Sequence, residues 1–376
     1  MSTGLRIVLI IGLLSLFGDF VYEGGRSVLP DYMRQLGMNA FLIGLVLGFA
    51  EFAGWAVRPL GGYIADRTRK YALMVRLGYA GLIIIPLMGV FPVWWAIAIF
   101  AVLERIFRGL RTPPRDAMLA KLRGNVGLGT TFGIHELLDQ VGAAAGPLLA
   151  IAVLAAFQST QYVFFFMAIP YIALLITLTR VPNYKEPFNI KPEIKPSRAV
   201  ALYSAAAGFN AAGLLPLPLV LFMVSVVEGE GSWLVPAAYT LAMVIDAVAG
   251  LVFGRAFDRW GASVVLTAVA VSIFPPLLIY SSTNLLMLAA LLIGMVIGAQ
   301  ESIFRAAVAH LSNKSGLSYA YALYGLGLGT GGAVAGIIYG YMIQINAPIA
   351  FMFLYAVVAQ TAAATLLVKI FRMSKS

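Results

Sequence analysis

Gly62-Tyr63-Ile64-Ala65-Asp66-Arg67 closes one apolar stretch of the chain, and Gly254-Arg255-Ala256-Phe257-Asp258-Arg259 closes another, 192 residues later. The shared pattern is Gly-x-x-x-Asp-Arg at the end of a greasy segment. A second pair keeps nearly the same offset: Gly142-x-x-x-Gly146 returns as Gly332-x-x-x-Gly336, 190 residues on. Chance could supply one match. Two, at nearly equal spacing and after equivalent segments, point to an internal duplication.

The segments around these marks are too apolar for water. Of 376 residues, 61% are hydrophobic and only 11% charged, and the mean hydropathy is +0.91. A soluble chain carries roughly a quarter charged residues. Each bilayer crossing takes about 20 apolar residues. That rule predicts twelve helices, over 5–30, 40–64, 71–91, 93–114, 128–156, 160–179, 199–226, 233–256, 262–281, 284–309, 317–344 and 347–370. The first is too long for a signal-peptide core and lacks a small-residue cleavage pattern, so it reads as a retained helix. The expected class is an all-α, polytopic membrane protein. With no cysteine, disulfides and thiolate metal sites are excluded.

A net charge of +10 would suit nucleic acid, but its placement argues otherwise. If both termini are cytoplasmic, then Arg67, Arg69, Lys70, Lys121, Arg123, Arg180, Lys185, Lys191, Lys195, Arg198, Arg255, Arg259, Lys314, Lys369, Arg372 and Lys375 all fall on cytoplasmic loops and helix ends. The opposite loops hold little basic beyond Arg34, and they carry Glu228 and Glu230. That asymmetry is the positive-inside rule. The partner it implies is a lipid bilayer, that of the plasma or inner membrane, with no nucleic acid, and the chain is expected to be a monomer. Between 181 and 198, Pro182, Pro187, Pro192 and Pro196 make a semi-rigid linker. It divides an N-terminal six-helix bundle, 1–180, from a C-terminal one, 199–376. Parallel six-helix repeats are a transporter architecture, with the substrate site near the midplane.

Here the residues resemble the major facilitator superfamily. Gly62-Tyr-Ile-Ala-Asp66-Arg67-Thr-Arg69-Lys70 resembles its first cytoplasmic motif, one residue short and without the second glycine. Arg105-Ile-Phe-Arg108-Gly109 resembles the second motif, whose arginine the family links to proton coupling. Gly142-Ala-Ala-Ala-Gly146-Pro147 resembles the third, a mark of proton-driven drug antiporters of the twelve-helix type. A wider similarity, to an uncharacterised prokaryotic group, runs through Asp19-x-x-x-Glu23, Glu51, Arg58, Arg111-Thr-Pro-Pro-Arg115-Asp116-Ala and His135-x-x-x-Asp139. The resemblance implies the fold and points to antiport. It is silent on substrate.

Of sixteen carboxylates, eight lie in the membrane segments: Asp19, Glu23, Glu51, Glu104, Glu136 and Asp139 in the first half, and Asp246 and Glu301 in the second. A carboxylate in hydrocarbon is costly and survives where it faces a partner, a cavity or a proton path. Asp19, Glu51, Glu104 and Asp139 are expected near mid-depth. They either stitch helices by pairing with Arg26, Arg58, Arg105 or Arg108, or at least one loses its charge during transport. Burial favours the neutral acid and a nearby cation favours the charged one, so an acid beside a movable arginine can switch. The proton-coupling candidates are Asp19, Glu23, Glu51, Glu104, Arg105 and Asp139. Arg58, Arg108, Trp55 and His135 are candidate charge partners or cavity residues.

Glu104, Arg108, Arg111 and Arg115 follow at helical spacing, a stripe on one face. Such a stripe suits carboxylate or phosphate, although Arg111 and Arg115 could instead snorkel to the interface. Gly62, Asp66, Arg67, Arg69, Asp116, Asp258 and Arg259 read as a cytoplasmic gate, with Asp116 a partner for Arg67 or Arg69, or as plain charge anchoring. Gly142, Gly146 and Pro147 permit close packing and a bend. His135 beside Asp139 is a helix-end hydrogen bond or a proton relay. Two histidines are too few for a tight transition-metal site, so neither metal nor cofactor is expected. The glycines from Gly325 to Gly332 follow no strand, which excludes a dinucleotide loop.

No pattern of an enzyme or an ATP-driven pump is present. The favoured expectation is a proton-coupled secondary transporter exporting a small molecule by antiport with alternating access. The alternatives are proton symport of an organic anion on the arginine stripe, and a membrane sensor without flux.

Overall fold

The structure, a computed structural model, describes residues 3–121, 128–182, 198–312 and 317–373. Most of the expected linker, residues 183–197 with Lys185, Lys191 and Lys195, lies outside the described residues. So do Arg123, Lys314 and Lys375. Among the described residues every regular element is helical.

The helices are α1 (Thr3–Gln35), α2 (Ala40–Thr68), α3 (Tyr71–Ala80), α4 (Ile84–Val90), α5 (Trp94–Lys121), α6 (Leu128–Phe157), α7 (Thr160–Phe166), α8 (Ala168–Leu178), α9 (Arg198–Gly213), α10 (Leu217–Glu228), α11 (Leu234–Trp260), α12 (Val265–Val271), α13 (Thr283–Glu301), α14 (Ile303–Leu311), α15 (Leu317–Gln344) and α16 (Ile349–Met373). Ten helical stretches are long and apolar enough to cross a membrane. One of them, Leu234–Leu278, is 45 residues long. At 1.5 Å per residue that is roughly 68 Å, about twice a hydrocarbon core. It breaks at Gly261, whose φ of 74° suits glycine, and so makes two crossings. α5 is 28 residues long, but its charges keep it off the apolar criterion. Counting both, the fold has the twelve crossings expected.

α1 is longer than expected. Proline usually ends a helix, yet α1 continues through Pro30 to Gln35. Proline is tolerated in membrane helices where neighbours satisfy the freed backbone. The extension turns Asp31 from a loop residue into a buried helical one.

By contact the chain forms two compact units. The first comprises the described residues of Met1–Leu36, Ala56–Asn189 and Gly231–Ala237. The second comprises those of Gly37–Trp55, Ile190–Glu230 and Ala238–Ser376. Lipid tails are as apolar as leucine, so helices associate in a bilayer by close packing and hydrogen bonds. In the first unit α1 and α6 run in parallel register. A Cβ at Gly142 would strike the Leu16 carbonyl, and one at Gly146 would strike that of Phe20. The second unit uses the same device on α15: Gly327 and Gly331 meet Ser204 and Gly208 of α9, while Gly336 meets Gly44. Tyr203, Phe304 and Tyr324 pack in its core.

Candidate functional site

The register of α1 on α6 places polar groups rung by rung. Ser15 and Asp19 are one turn apart on α1, and His135 and Asp139 one turn apart on α6. Ser15 Oγ lies 2.9 Å from His135 Nε2. One turn on, the Asp19 and Asp139 carboxyls lie close enough to feel each other's charge. Asp139 Oδ1 is buried and makes no hydrogen bond among the described residues. Two buried carboxylates on facing turns repel each other, and a proton on either one relieves that repulsion.

α5 supplies the counter-charges. Arg111 is 1% exposed, so it does not snorkel. It pairs with Asp19 Oδ1 at 3.9 Å and stacks on Tyr79 at 4.2 Å, and its Nη1 reaches the Gly78 carbonyl at 3.5 Å. Gly78 is what admits it: a Cβ there would collide with the Arg111 side chain. Tyr79 OH is 2.7 Å from Ser15 Oγ, which also accepts from Arg115 Nη1 at 3.3 Å. A polar chain thus runs from Arg115 through Ser15 to Tyr79 and His135. The other half of the site surrounds Tyr22. Arg26, Arg105 and Arg108 lie 4.9, 5.4 and 4.2 Å from its ring, and Arg105 donates to its hydroxyl. Glu23 sits between Arg26 (3.6 Å) and Arg108 (3.8 Å), and Glu104 pairs with Arg105 at 3.6 Å.

Asp19, Glu23, Glu104, Arg105, Arg108, His135 and Asp139 therefore belong to one unit and one network. Arg58 lies in the same unit, half-buried on α2. Glu51 and Trp55 lie outside that unit. They belong to the second unit, where the Trp55 indole donates to Glu51 Oε1 at 3.0 Å and packs on Gly325 and Gly329. Of the two acids noted in the second half, Asp246 is half-buried and Glu301 is exposed at the end of α13. Glu136 is exposed and accepts from Gln140 at 3.1 Å. The ligand atoms of His135, Glu136 and Asp139 fall within 4.8 Å of one another, close enough to share a cation, but Ser15 already engages His135 Nε2.

The expected gate pairing differs. Asp116 takes Arg115 at 3.0 Å rather than Arg67 or Arg69, because the adjacent guanidinium is already in reach. Arg67 donates to Tyr63 OH at 2.9 Å, and Asp66 accepts from Tyr71 OH at 2.5 Å. Arg69, at φ 56°, turns the chain from α2 into α3. Gly62 faces Pro113 of α5. Asp258 and Arg259 are exposed, with Arg259 over Trp260.

Sequence reasoning passed over Ser15, Tyr22 and Tyr79, because it followed charges alone. The signal was there: Ser15 and Tyr22 flank Asp19 at −4 and +3 on the same helical face. Asp31 was missed with the helix end. Fully buried, its Oδ2 accepts from Thr160 Oγ1 (2.7 Å), Gln35 Nε2 (2.9 Å) and Gly231 N (3.1 Å). In the second unit, Asn210 donates to Gln360 (2.9 Å) and Ser272 (3.1 Å) and accepts from Gln300 (2.9 Å). This neutral network was invisible to a search for carboxylates.

Twelve membrane crossings, with a buried charge network in the first unit, define the class: a polytopic transporter rather than an enzyme. Residues 8–262 match the Major Facilitator Superfamily, and the chain belongs to that family. It is 29% identical to an uncharacterised protein of Mycobacterium tuberculosis, over 91% of this chain and 87% of the relative. An uncharacterised MFS-type transporter of Methanocaldococcus jannaschii is 28% identical over 69% of this chain and 68% of its own length. The multidrug resistance protein MdtH of Escherichia coli is 24% identical over 69% and 64%. Among solved structures, the nucleoside transporter NupG superposes with a TM-score of 0.74 at 15% identity, covering 98% of this chain and 99% of that one. At that identity the likeness shows the fold. The protein is a multi-pass membrane transporter of small-molecule substrates.

Proposed function

We propose that this transporter exports its substrate in exchange for protons, with Asp19 and Asp139 as the coupling site. The observation that carries the reading is the carboxyl pair on facing turns of α1 and α6, with Arg111 beside it. When the pair holds its proton it carries one negative charge and balances Arg111. When the proton leaves, a second charge develops between α1, α5 and α6, and it draws on Arg108, whose field Asp19 already feels. Each protonation state then favours a different packing of α5 on α1, which is what alternating access requires. Ser15 and His135, one turn away, offer the proton a route along α1. Glu23, Glu104 and Arg105 tune the site, while Arg58 and Glu51 with Trp55 stand as further candidates.

Export by antiport draws support from the Gly142-x-x-x-Gly146-Pro147 motif, which keeps α6 tight on α1, and from the relative that carries a multidrug resistance name. In this reading both termini are cytoplasmic, the membrane is the cell membrane, and the monomer rocks two six-helix halves, 1–180 and 199–376. Gly62, Asp66, Arg67, Arg69, Asp116, Asp258 and Arg259 control the cytoplasmic gate. The test is flux in proteoliposomes under an imposed pH gradient, for the parent, Asp19→Asn and Asp139→Asn. Flux should follow the gradient in the parent and lose that dependence in both variants. Flux indifferent to the gradient, or unchanged in the variants, would sink the proposal.

A further inference from the structure

The cluster around Tyr22 is layered by charge. The side chains of Glu104 and Glu23 are 4% and 8% exposed, whereas those of Arg26 and Arg108 are 25% and 28% exposed. The carboxylates form the inner layer and the guanidiniums the outer one, so anything approaching the open side meets positive charge first. Three guanidiniums gather here around Glu23 and Glu104, and Arg108 also lies in the field of Asp19. Arginine side chains a quarter exposed in a membrane segment turn toward a water-filled cavity or a partner, since hydrocarbon is costly for their charge.

Arg108 is the group that sets the chemistry. Its guanidinium lies 4.2 Å from the Tyr22 ring and 3.8 Å from Glu23 Oε1. Neither contact is a hydrogen bond, and its five N–H groups make none among the described residues. A guanidinium lying over a fully buried ring is positioned by it without spending its donors. A planar fork held in place with open donors matches a carboxylate or phosphate edge in two-point fashion, which an ammonium could not do. Arg26, also over Tyr22, stands beside it as a second cation.

We infer that Arg108 and Arg26, mounted on Tyr22, seat the carboxylate or phosphate group of the transported substrate, which is an organic anion. The inference rests on the transport reading of this site and names its substrate class. It does not depend on proton coupling.

The experiment is equilibrium binding on the purified full-length protein in neutral detergent, followed by thermal melting of tryptophan fluorescence. The probes are acetate, inorganic phosphate and sulfate, titrated against chloride at constant ionic strength. A ligand of the folded state raises the melting temperature saturably. The expected result is such a rise with at least one oxyanion, with its dissociation constant weakened ~10–100-fold in Arg108→Gln, the loss of hydrogen bonds to a charged group. Arg108→Lys keeps the charge and loses the fork. It should weaken binding too, and it serves if the glutamine variant does not fold. A parent indifferent to all three anions overturns the inference, as does undiminished binding in both variants. Stabilisation by phosphatidylglycerol in the micelle but by none of the soluble anions assigns the seat to a lipid headgroup and overturns the substrate reading. Binding is read without any gradient. Anion binding with gradient-indifferent flux would therefore sink the coupling proposal and leave this one standing, and the reverse pattern would do the opposite.

Discussion

Asp19→Asn separates the two roles a buried ion pair can have. Arg111 is buried, and Asp19, at 3.9 Å, is its one acidic partner within ion-pair distance among the described residues. At an effective dielectric of ~20, unit charges at that distance attract by about 4 kcal/mol. Removing one member of a buried pair costs about 3–5 kcal/mol, because the other is left without compensation. Asp19→Asn alone should lose stability on that scale, and Arg111→Leu alone should lose less, because Asp19 also feels Arg108 and can take up a proton. The double variant, with neither charge, should recover most of it, since a matched apolar replacement of a buried pair is often neutral. The assay is a double-mutant cycle of reversible unfolding in mixed micelles, with a coupling energy of about 3 kcal/mol or more expected from these figures. Flux adds the second axis. If Asp19 only stitches helices, the double variant regains gradient-driven transport along with its fold. If Asp19 holds the coupled proton, it folds and transports without regard to pH. A coupling energy under about 1 kcal/mol, the scale of an exposed pair, would refute the reasoning, because the pair would then not be a buried one.

Three further outcomes follow from the geometry. Gly142→Ala puts a methyl group onto the Leu16 carbonyl, a rigid backbone atom, and should cost about 1–3 kcal/mol by overpacking, read as a lowered melting temperature. Gly133→Ala, with open space around it, should cost far less. If the substrate is a monoanion exchanged for one proton, each cycle moves two charges, so a 100 mV potential of the right sign contributes about 4.6 kcal/mol. Valinomycin-imposed potentials should then drive flux with no pH gradient, whereas electroneutral proton–anion symport would ignore them. Asp31→Ala removes the acceptor for Gly231 N and Thr160 Oγ1, with about 1.5–3 kcal/mol lost per hydrogen bond to a charged group. The chain has no native cysteine, so a single Ser232→Cys reporter should react faster with an impermeant maleimide in that background.

The fold was legible because its signals are long-range and redundant. Twelve apolar stretches and the two repeated glycine motifs each carry the architecture independently, and losing the end of α1 to Pro30 did not disturb it. The candidate site was legible only in its charged members. Asp19, Asp139, Arg105 and Arg108 announce themselves because charge in hydrocarbon is costly. Ser15, Tyr22 and Tyr79 are ordinary residues for a membrane helix, and only the register of α1 on α6 gives them a role. Pairing was less legible still. Asp116 was expected to pair with Arg67 or Arg69, and its neighbour Arg115, read as a cation of the stripe or the interface, takes it instead.

The contact lengths of the two polar networks differ in kind. In the second unit, the Asn210 amide bonds are 2.9–3.1 Å, directed and mutually satisfied. Stretching one by an ångström forfeits it and leaves a buried polar atom, at about 1–3 kcal/mol. In the first unit, the Glu23, Glu104 and Asp19 pairs stand at 3.6–3.9 Å, beyond hydrogen-bond length. Coulomb attraction falls only as the inverse of distance, so an ångström of slide from 3.8 Å costs about 1 kcal/mol at an effective dielectric of ~20. Charge-paired arginines can therefore move along α1 with little penalty at each step, whereas the amide network resists any displacement of α9 against α13 and α16. A proton arriving at Asp19 or Asp139 has soft charge pairs to shift in the first unit, and the bonds that limit the shift there are the directed ones of Ser15 to Tyr79 and His135 and of Arg105 to Tyr22.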